Sequence, residues 1–285
     1  MPGCNAGAAW RWPPLNQLML YLLGPALIID SLLNAELAAG ASVRVISAVV
    51  LITIATLAVA TTVSKLLRQE RTLESGFLLA AAFPNAANMA LPVTLLAFGE
   101  SGFTVAIIIF ATHSILGWSV GMFVAARGSF SGFGPLLQTA RSPVLWAIAL
   151  ALLLRATGIT LPVTLSEPIS MLASASIPVM LVILGFQLAR GVELDRWPNL
   201  VAVLTVRLVI SAGIAYGVTL LLGLEGITQQ TIIAVSAMPT AVFTTILATE
   251  FKAEARFVTS AVISSTLLSL LTLTVLITVL QTFLG

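Results

Sequence analysis

Charge is what this sequence most lacks. Asp, Glu, Lys and Arg together make up 8% of its 285 residues, against about 25% in an ordinary soluble domain. So few charges cannot clothe a water-facing surface of this size. Cys4 is the only cysteine and His113 the only histidine, which excludes a disulfide framework and the common zinc motifs. The phosphate-cradling pattern GxxxxGK[ST] is absent, so the chain does not energise itself with ATP by that route. The formal charge of +2 is small, and its basic residues are spread over several short loops. Nucleic acid is therefore not an expected partner, and no cofactor is implied. No polar stretch is long enough to form a second, soluble domain.

Apolar residues fill the space that charge leaves. They make up 59% of the chain, and the mean hydropathy is +1.08. Apolar segments fall at 15–33, 43–64, 76–98, 103–126, 143–158, 168–190, 199–222, 229–250 and 257–282. Most are close to the ~20 residues needed to cross ~30 Å of hydrocarbon as a helix. They are continuous runs and not alternating ones, so they predict helices, each satisfying its own backbone in lipid, and not a barrel. The expectation is an all-α polytopic membrane protein of about nine transmembrane helices, one domain over 1–285. The first segment has some features of a signal peptide, with Arg11 before it and Ala39-Gly40-Ala41 after it. Its length, its Pro25 and Asp30, and a counterpart later in the chain favour a retained helix.

Lys and Arg orient the bundle. With Lys65, Arg68 and Arg71 placed in the cytoplasm, Arg11, Arg127, Arg141, Arg190, Arg196, Lys252 and Arg256 also fall inside. Arg44 and Arg155 fall outside. This predicts a cytoplasmic N-terminus and an external C-terminus in the plasma (inner) membrane.

The chain also repeats itself. Ala81-Ala82-Phe83-Pro84-Asn85-Ala86 resembles Ser236-Ala237-Met238-Pro239-Thr240-Ala241, and Gly24-Pro25-Ala26-Leu27 resembles Ile177-Pro178-Val179-Met180. The two pairs have nearly one offset, 155 and 153 residues. An odd number of spans separates the members of each pair, so the halves 15–126 and 143–285 would be inverted repeats, a plan common in secondary carriers. Within each half, Pro84–Pro92 and Met238–Thr240 should interrupt a helix at membrane depth, because proline lacks an N–H and crowds the preceding turn. Irregular backbone at that depth must be received by protein or a water-filled cavity. Two broken helices crossing near the midplane would aim helix N-termini, with their partial positive charge and free N–H groups, at a carboxylate. A pair of simple proline kinks is the plainer alternative.

At these residues the sequence resembles the auxin efflux carrier family, in its bacterial malate/malonate-permease-like branch. The first motif reads Asn85-Ala86-Ala87-Asn88-Met89-Ala90-Leu91-Pro92-Val93. The second reads Ala237-Met238-Pro239-Thr240-Ala241, followed by Ala248 and Phe251. Ile177 to Leu188 and Leu15 to Leu33 resemble two further helices of the family. The likeness covers about 15–282. It implies two inverted five-helix repeats, a scaffold part beside a transport part, and weak organic acids as substrates. The family's plan has ten helices, and Met1–Pro14 is too short and too polar to supply the first. The first motif also has Ala where the family often has Gly, and Pro84 is extra.

The substrate-binding candidates are thus Asn85, Asn88, Pro92, Pro239 and Thr240, with Arg207 as electrostatic support. Arg207 sits mid-span, where an uncompensated Arg costs about 2.5–3.5 kcal/mol, so it should face a cavity or a partner. A structural pairing would satisfy it equally. His113 could relay a proton or act as a neutral hydrogen-bonding residue. Asp30 and Glu250, near helix ends, are candidates for proton or cation coupling, against solvated helix ends. Gly117-Trp118-Ser119-Val120-Gly121 matches a nucleophile-elbow pattern, but inside a helix it reads better as a close-packing glycine face. Gly213 and Gly217 suggest a second such face. The partners expected are a small organic anion, a coupling proton or sodium ion and the lipid bilayer, with a homodimer as an option. A sodium-coupled carrier of bile-acid-symporter type and a non-transporting scaffold subunit are the rival readings.

Overall fold

The computed structural model describes residues 13–34, 41–129, 140, 143–188 and 196–283. Cys4, Arg11, Arg141, Arg190 and the Ala39-Gly40 pair lie outside them, as do the side chains of Asn88 and Gln187. The helices are α1 (13–34), α2 (Ala41–Leu66), α3 (Arg71–Ala82), α4 (86–98), α5 (100–127), α6 (Pro143–Thr157), α7 (Val163–Leu188), α8 (197–221), α9 (Gly226–Ser236), α10 (Phe243–Glu250) and α11 (Ala255–Phe283). Among the described residues the only strand-like feature is one isolated bridge. The protein is an all-α, multi-pass membrane protein. Val43–Leu66, Leu91–Arg127, Trp197–Leu221 and Ala255–Phe283 are each long and apolar enough to span.

Leu91–Arg127 is not one straight rod. Gly99 takes φ 65° and ψ −164°, a conformation that glycine adopts without a Cβ penalty, and the chain reverses there. Ala97 lies beside Gln281, which donates from Nε2 to its carbonyl at 2.8 Å. Gly128, at the far end of α5, packs on Thr72 and Ser75 at the start of α3.

The ends of the bundle can be told apart by such contacts. At one end Gln69 Nε2 donates to Asn199 Oδ1 (2.8 Å), Arg196 lies 3.9 Å from Glu254, and Ser129 donates to the Phe251 carbonyl (2.5 Å). Lys65, Arg68, Arg71, Arg127, Lys252 and Arg256 sit at or beside those positions. Arg44 and Arg155 sit at the other end, where Arg155 donates to the Leu32 carbonyl (2.6 Å).

Two prolines shape their helices in the same way. Met19–Leu23 and Ala86–Ala90 are widened π turns, and each is followed two residues later by a proline, Pro25 or Pro92. A proline has no N–H for the carbonyl four residues back and presses on that turn, so the turn opens to a five-residue step. α1 packs against α6 and α7, with Ser176 of α7 donating to the Leu23 carbonyl beside one such turn (3.0 Å). The remaining helices pack chiefly among themselves, α2 on α3, α5 and α8, and α11 on α3, α9 and α10.

The two glycine faces behave differently. A Cβ on Gly117 or Gly121 would meet the rings of Phe243 (2.5 Å) or Phe83 (3.2 Å), so this face is closely packed. The second face is a correction. Gly213 and Gly217 have nothing within 4 Å of a built Cβ, because α8 turns that side away from its described neighbours. Gly76 is the tightest against backbone, with the Ala253 carbonyl oxygen 2.6 Å from its Cβ position. Gly76→Ala should therefore destabilise the detergent-solubilised protein by about 1–3 kcal/mol. Gly213→Ala should leave it unchanged or stabilise it by up to about 1 kcal/mol, both read by thermal unfolding.

Candidate functional site

Two helices are interrupted in mid-bundle, and the interruptions touch. α3 stops at Ala82, Phe83 is extended, and α4 begins at Ala86 after a tight turn in which the Ala86 N–H donates to the Pro84 carbonyl (2.8 Å). α9 stops at Ser236 and α10 begins at Phe243. Between them Pro84 and Thr240 form the isolated antiparallel bridge. Asn85 N–H donates to the Pro239 carbonyl (2.7 Å), and Ala241 N–H donates to the Phe83 carbonyl (2.9 Å). A break deep in a bundle strands polar backbone groups that water would otherwise satisfy. Here each break supplies what the other lacks. Neither proline needs a donor at the bridge, so the ring costs nothing there.

Thr240 ties this point to two further helices. Its hydroxyl donates to the Ala80 carbonyl in the last turn of α3 (2.8 Å), and its N–H donates to Ser265 Oγ on α11 (3.1 Å). Phe83 and Phe243 flank the crossing with ring centroids 6.0 Å apart at 66°. Trp118 closes on Phe243 at 5.4 Å, over the glycine face of α5.

Arg207 is the largest side chain sealed in this region, 2% exposed. It sits on a π turn, Val206–Ile210, in the middle of α8. Nη1 donates to the Ala81 carbonyl (2.8 Å), and Nη2 donates to Ser211 Oγ (3.0 Å) and to the Ser236 carbonyl. The single O–H of Ser211 is in reach of two carbonyls, those of Arg207 and of Ser236, the latter at 2.7 Å. One guanidinium thus binds the last turn of α3 and the last residue of α9. These two half-helices enter from opposite ends of the bundle. α8 begins beside Gln69 ahead of α3, and in its last turn Thr219 accepts a hydrogen bond from Gln229 in the first turn of α9 (3.2 Å).

The remaining candidates divide by place. Pro239 and Asn85 are in the bridge. The Asn88 backbone lies in the π turn that opens α4. Pro92 stands farther along α4 on an exposed face, inside continuous helix, so the interruption ends earlier than the span from Pro84 to Pro92 suggests. His113 is buried in α5, with Nδ1 unpartnered among the described residues. Asp30 is remote from the crossing. It accepts from Asn34 (3.1 Å) and lines a cavity of about 470 Å³ between α1, α6 and α7, with Arg155, Thr160 and Ser166. Glu250 ends α10 near the basic end of the bundle. Ser119 donates to the Ile115 carbonyl within its helix (2.5 Å), and no elbow exists there. Ser211, Ser236 and Ser265 were not singled out by sequence. A Ser four residues after a mid-span Arg, and the Ser265/Ser269 pair on the buried stripe of α11, were the available signals.

A family model described as membrane transport protein matches residues 12–130 and 132–277. The chain belongs to this auxin efflux carrier-like family of membrane transporters. An uncharacterized transporter of Methanothermobacter thermautotrophicus is 28% identical over 259 residues, covering 89% of this chain and 84% of its own. Another from Methanocaldococcus jannaschii is 25% identical over 201 residues, covering 67% and 63%. The first match ends and the second begins between α5 and α6, and each contains one of the two interrupted helices. In this transporter the crossing is held by buried hydrogen bonds. Thr240→Val, which keeps the shape and removes the hydroxyl, should lower stability by about 1–2 kcal/mol in a thermal or denaturant titration.

Proposed function

We propose that this transporter is a secondary-active carrier of a small organic anion, a carboxylate or dicarboxylate, working by alternating access around the crossing. The observation that carries this reading is the meeting of two interrupted helices, break to break, in the middle of the bundle. Interrupted helices place helix ends at membrane depth, and N-terminal ends favour carboxylates. α4 and α10 both start at the crossing. Asn85, Asn88, Pro239 and Thr240 form the site, with Pro92 shaping the turn before it. The two halves, 15–126 and 143–285, are inverted repeats. α3 and α9 approach one arginine from opposite ends, which fits that relation.

The packing supports a division of labour. α1, α6 and α7 form one group and the other helices a second, with thinner contact between them. The first group is the scaffold and the second moves against it. The basic end of the bundle faces the cytoplasm, which puts the N-terminus inside and the C-terminus outside in the plasma membrane. A proton or a sodium ion couples the movement, with His113, Asp30 and Glu250 as the ionisable candidates.

Purified protein in proteoliposomes should accumulate radiolabelled malonate, and imposing a pH or a sodium gradient separately identifies the coupling ion. Asn85→Ala and Asn88→Ala should each reduce uptake by about ten-fold or more while leaving thermal stability near that of the parent. Folded, monodisperse protein that moves no dicarboxylate under either gradient would defeat the reading.

A further inference from the structure

Four helix ends converge at the crossing, and they do not have the same sign. α4 and α10 begin there, offering partial positive charge. α3 and α9 finish there, offering carbonyl oxygens and partial negative charge. Left alone, the two pairs of poles would largely cancel, and the point would favour neither an anion nor a cation.

Arg207 breaks that balance. Its guanidinium donates to the Ala81 and Ser236 carbonyls, the terminal turns of the two helices that finish at the crossing. A cation at a helix C-terminus offsets the local negative pole. Here a single planar fork reaches two such termini, a geometry that guanidinium supplies and a point-like ammonium does not. The π turn Val206–Ile210 sets Arg207 at the right place on α8, and Ser211 braces it through the Ser236 carbonyl it shares. The guanidinium is not used up. Nε is buried with no partner among the described residues. We infer that Arg207 sets the charge sign of the crossing, capping both negative helix ends with one guanidinium so that the positive ends of α4 and α10 dominate. It is a positioning residue that selects for anions through the backbone. The inference builds on the proposed site and adds the source of its selectivity.

The local potential can be read without knowing the substrate. In a Cys4→Ser background, a single cysteine is placed just before α4 by Asn85→Cys or, separately, in its first turn by Met89→Cys. Its modification rates are compared for the anionic 2-sulfonatoethyl and the cationic 2-(trimethylammonium)ethyl methanethiosulfonates. With Arg207 present the anionic reagent should react faster relative to a small exposed thiol. R207Q should lower the anionic-to-cationic ratio by about ten-fold or more, and R207K, which keeps the charge but cannot reach both carbonyls at once, should restore only part of it.

A ratio unchanged in R207Q, with both rates rising or falling together, would show a merely structural prop and overturn the inference. So would a ratio that favours the cationic reagent while Arg207 is in place, a comparison that needs no Arg207 variant to fold. Failure of both reagents at both positions would also overturn it, since no ion would then meet these poles. Malonate protection of the same cysteines is scored separately. Its absence counts against the proposed substrate class and leaves the ratio to judge Arg207.

Discussion

The structure depends on one constraint, that backbone polar groups deep in a membrane bundle must be satisfied by protein when water is not at hand. Two helices violate the usual solution by stopping halfway. They are tolerated because the Asn85 and Ala241 N–H groups find the Pro239 and Phe83 carbonyls across the gap. The bridge is two hydrogen bonds long, yet it fixes which helices must lie next to which. Thr240 then carries the connection to α3 and α11, and Arg207 to α3 and α9. Every helix of the larger group meets the crossing directly or at one remove.

Buried polar residues are costly in lipid unless they are fully engaged. Most of those near the crossing are spent on backbone carbonyls that the interruptions leave free. The division between the α1, α6, α7 group and the rest follows from the same economy. The larger group is knitted by side chain to backbone bonds such as Ser129 to Phe251 and Gln281 to Ala97. Contact between the groups is thinner than within either one.

Much of the fold was legible because the bilayer imposes a simple code. Length, hydropathy and the positions of Pro84 and Pro239 located the spans and their interruptions to within a few residues. Pro92 misled slightly. It looks like a breaker, but a proline near the start of a helix needs only a widened turn before it, and Ala86–Ala90 provides one. Gly213 and Gly217 misled more, because spacing tells where two glycines point and not whether a neighbour comes to meet them. What Arg207 touches could not be read at all. A mid-span arginine announces that it needs partners, but Ala81 and Ser236 contribute carbonyls, and a carbonyl leaves no mark in a side-chain alphabet. The hydroxyls of Ser211 and Ser265 were hidden for a related reason, being common in membrane helices where they bond to their own turn.

The bridge between Pro84 and Thr240 joins parts of the chain made far apart in time. When the first interruption leaves the ribosome, its complement is still some 150 residues from being synthesised. Until then Phe83 and Asn85 have no lasting mate for their backbone groups. The nascent chain up to that point must therefore wait in a provisional form, kept near water or shielded by the insertion machinery. Biogenesis of this protein is committed late, at the moment the segment carrying Pro239 and Thr240 arrives.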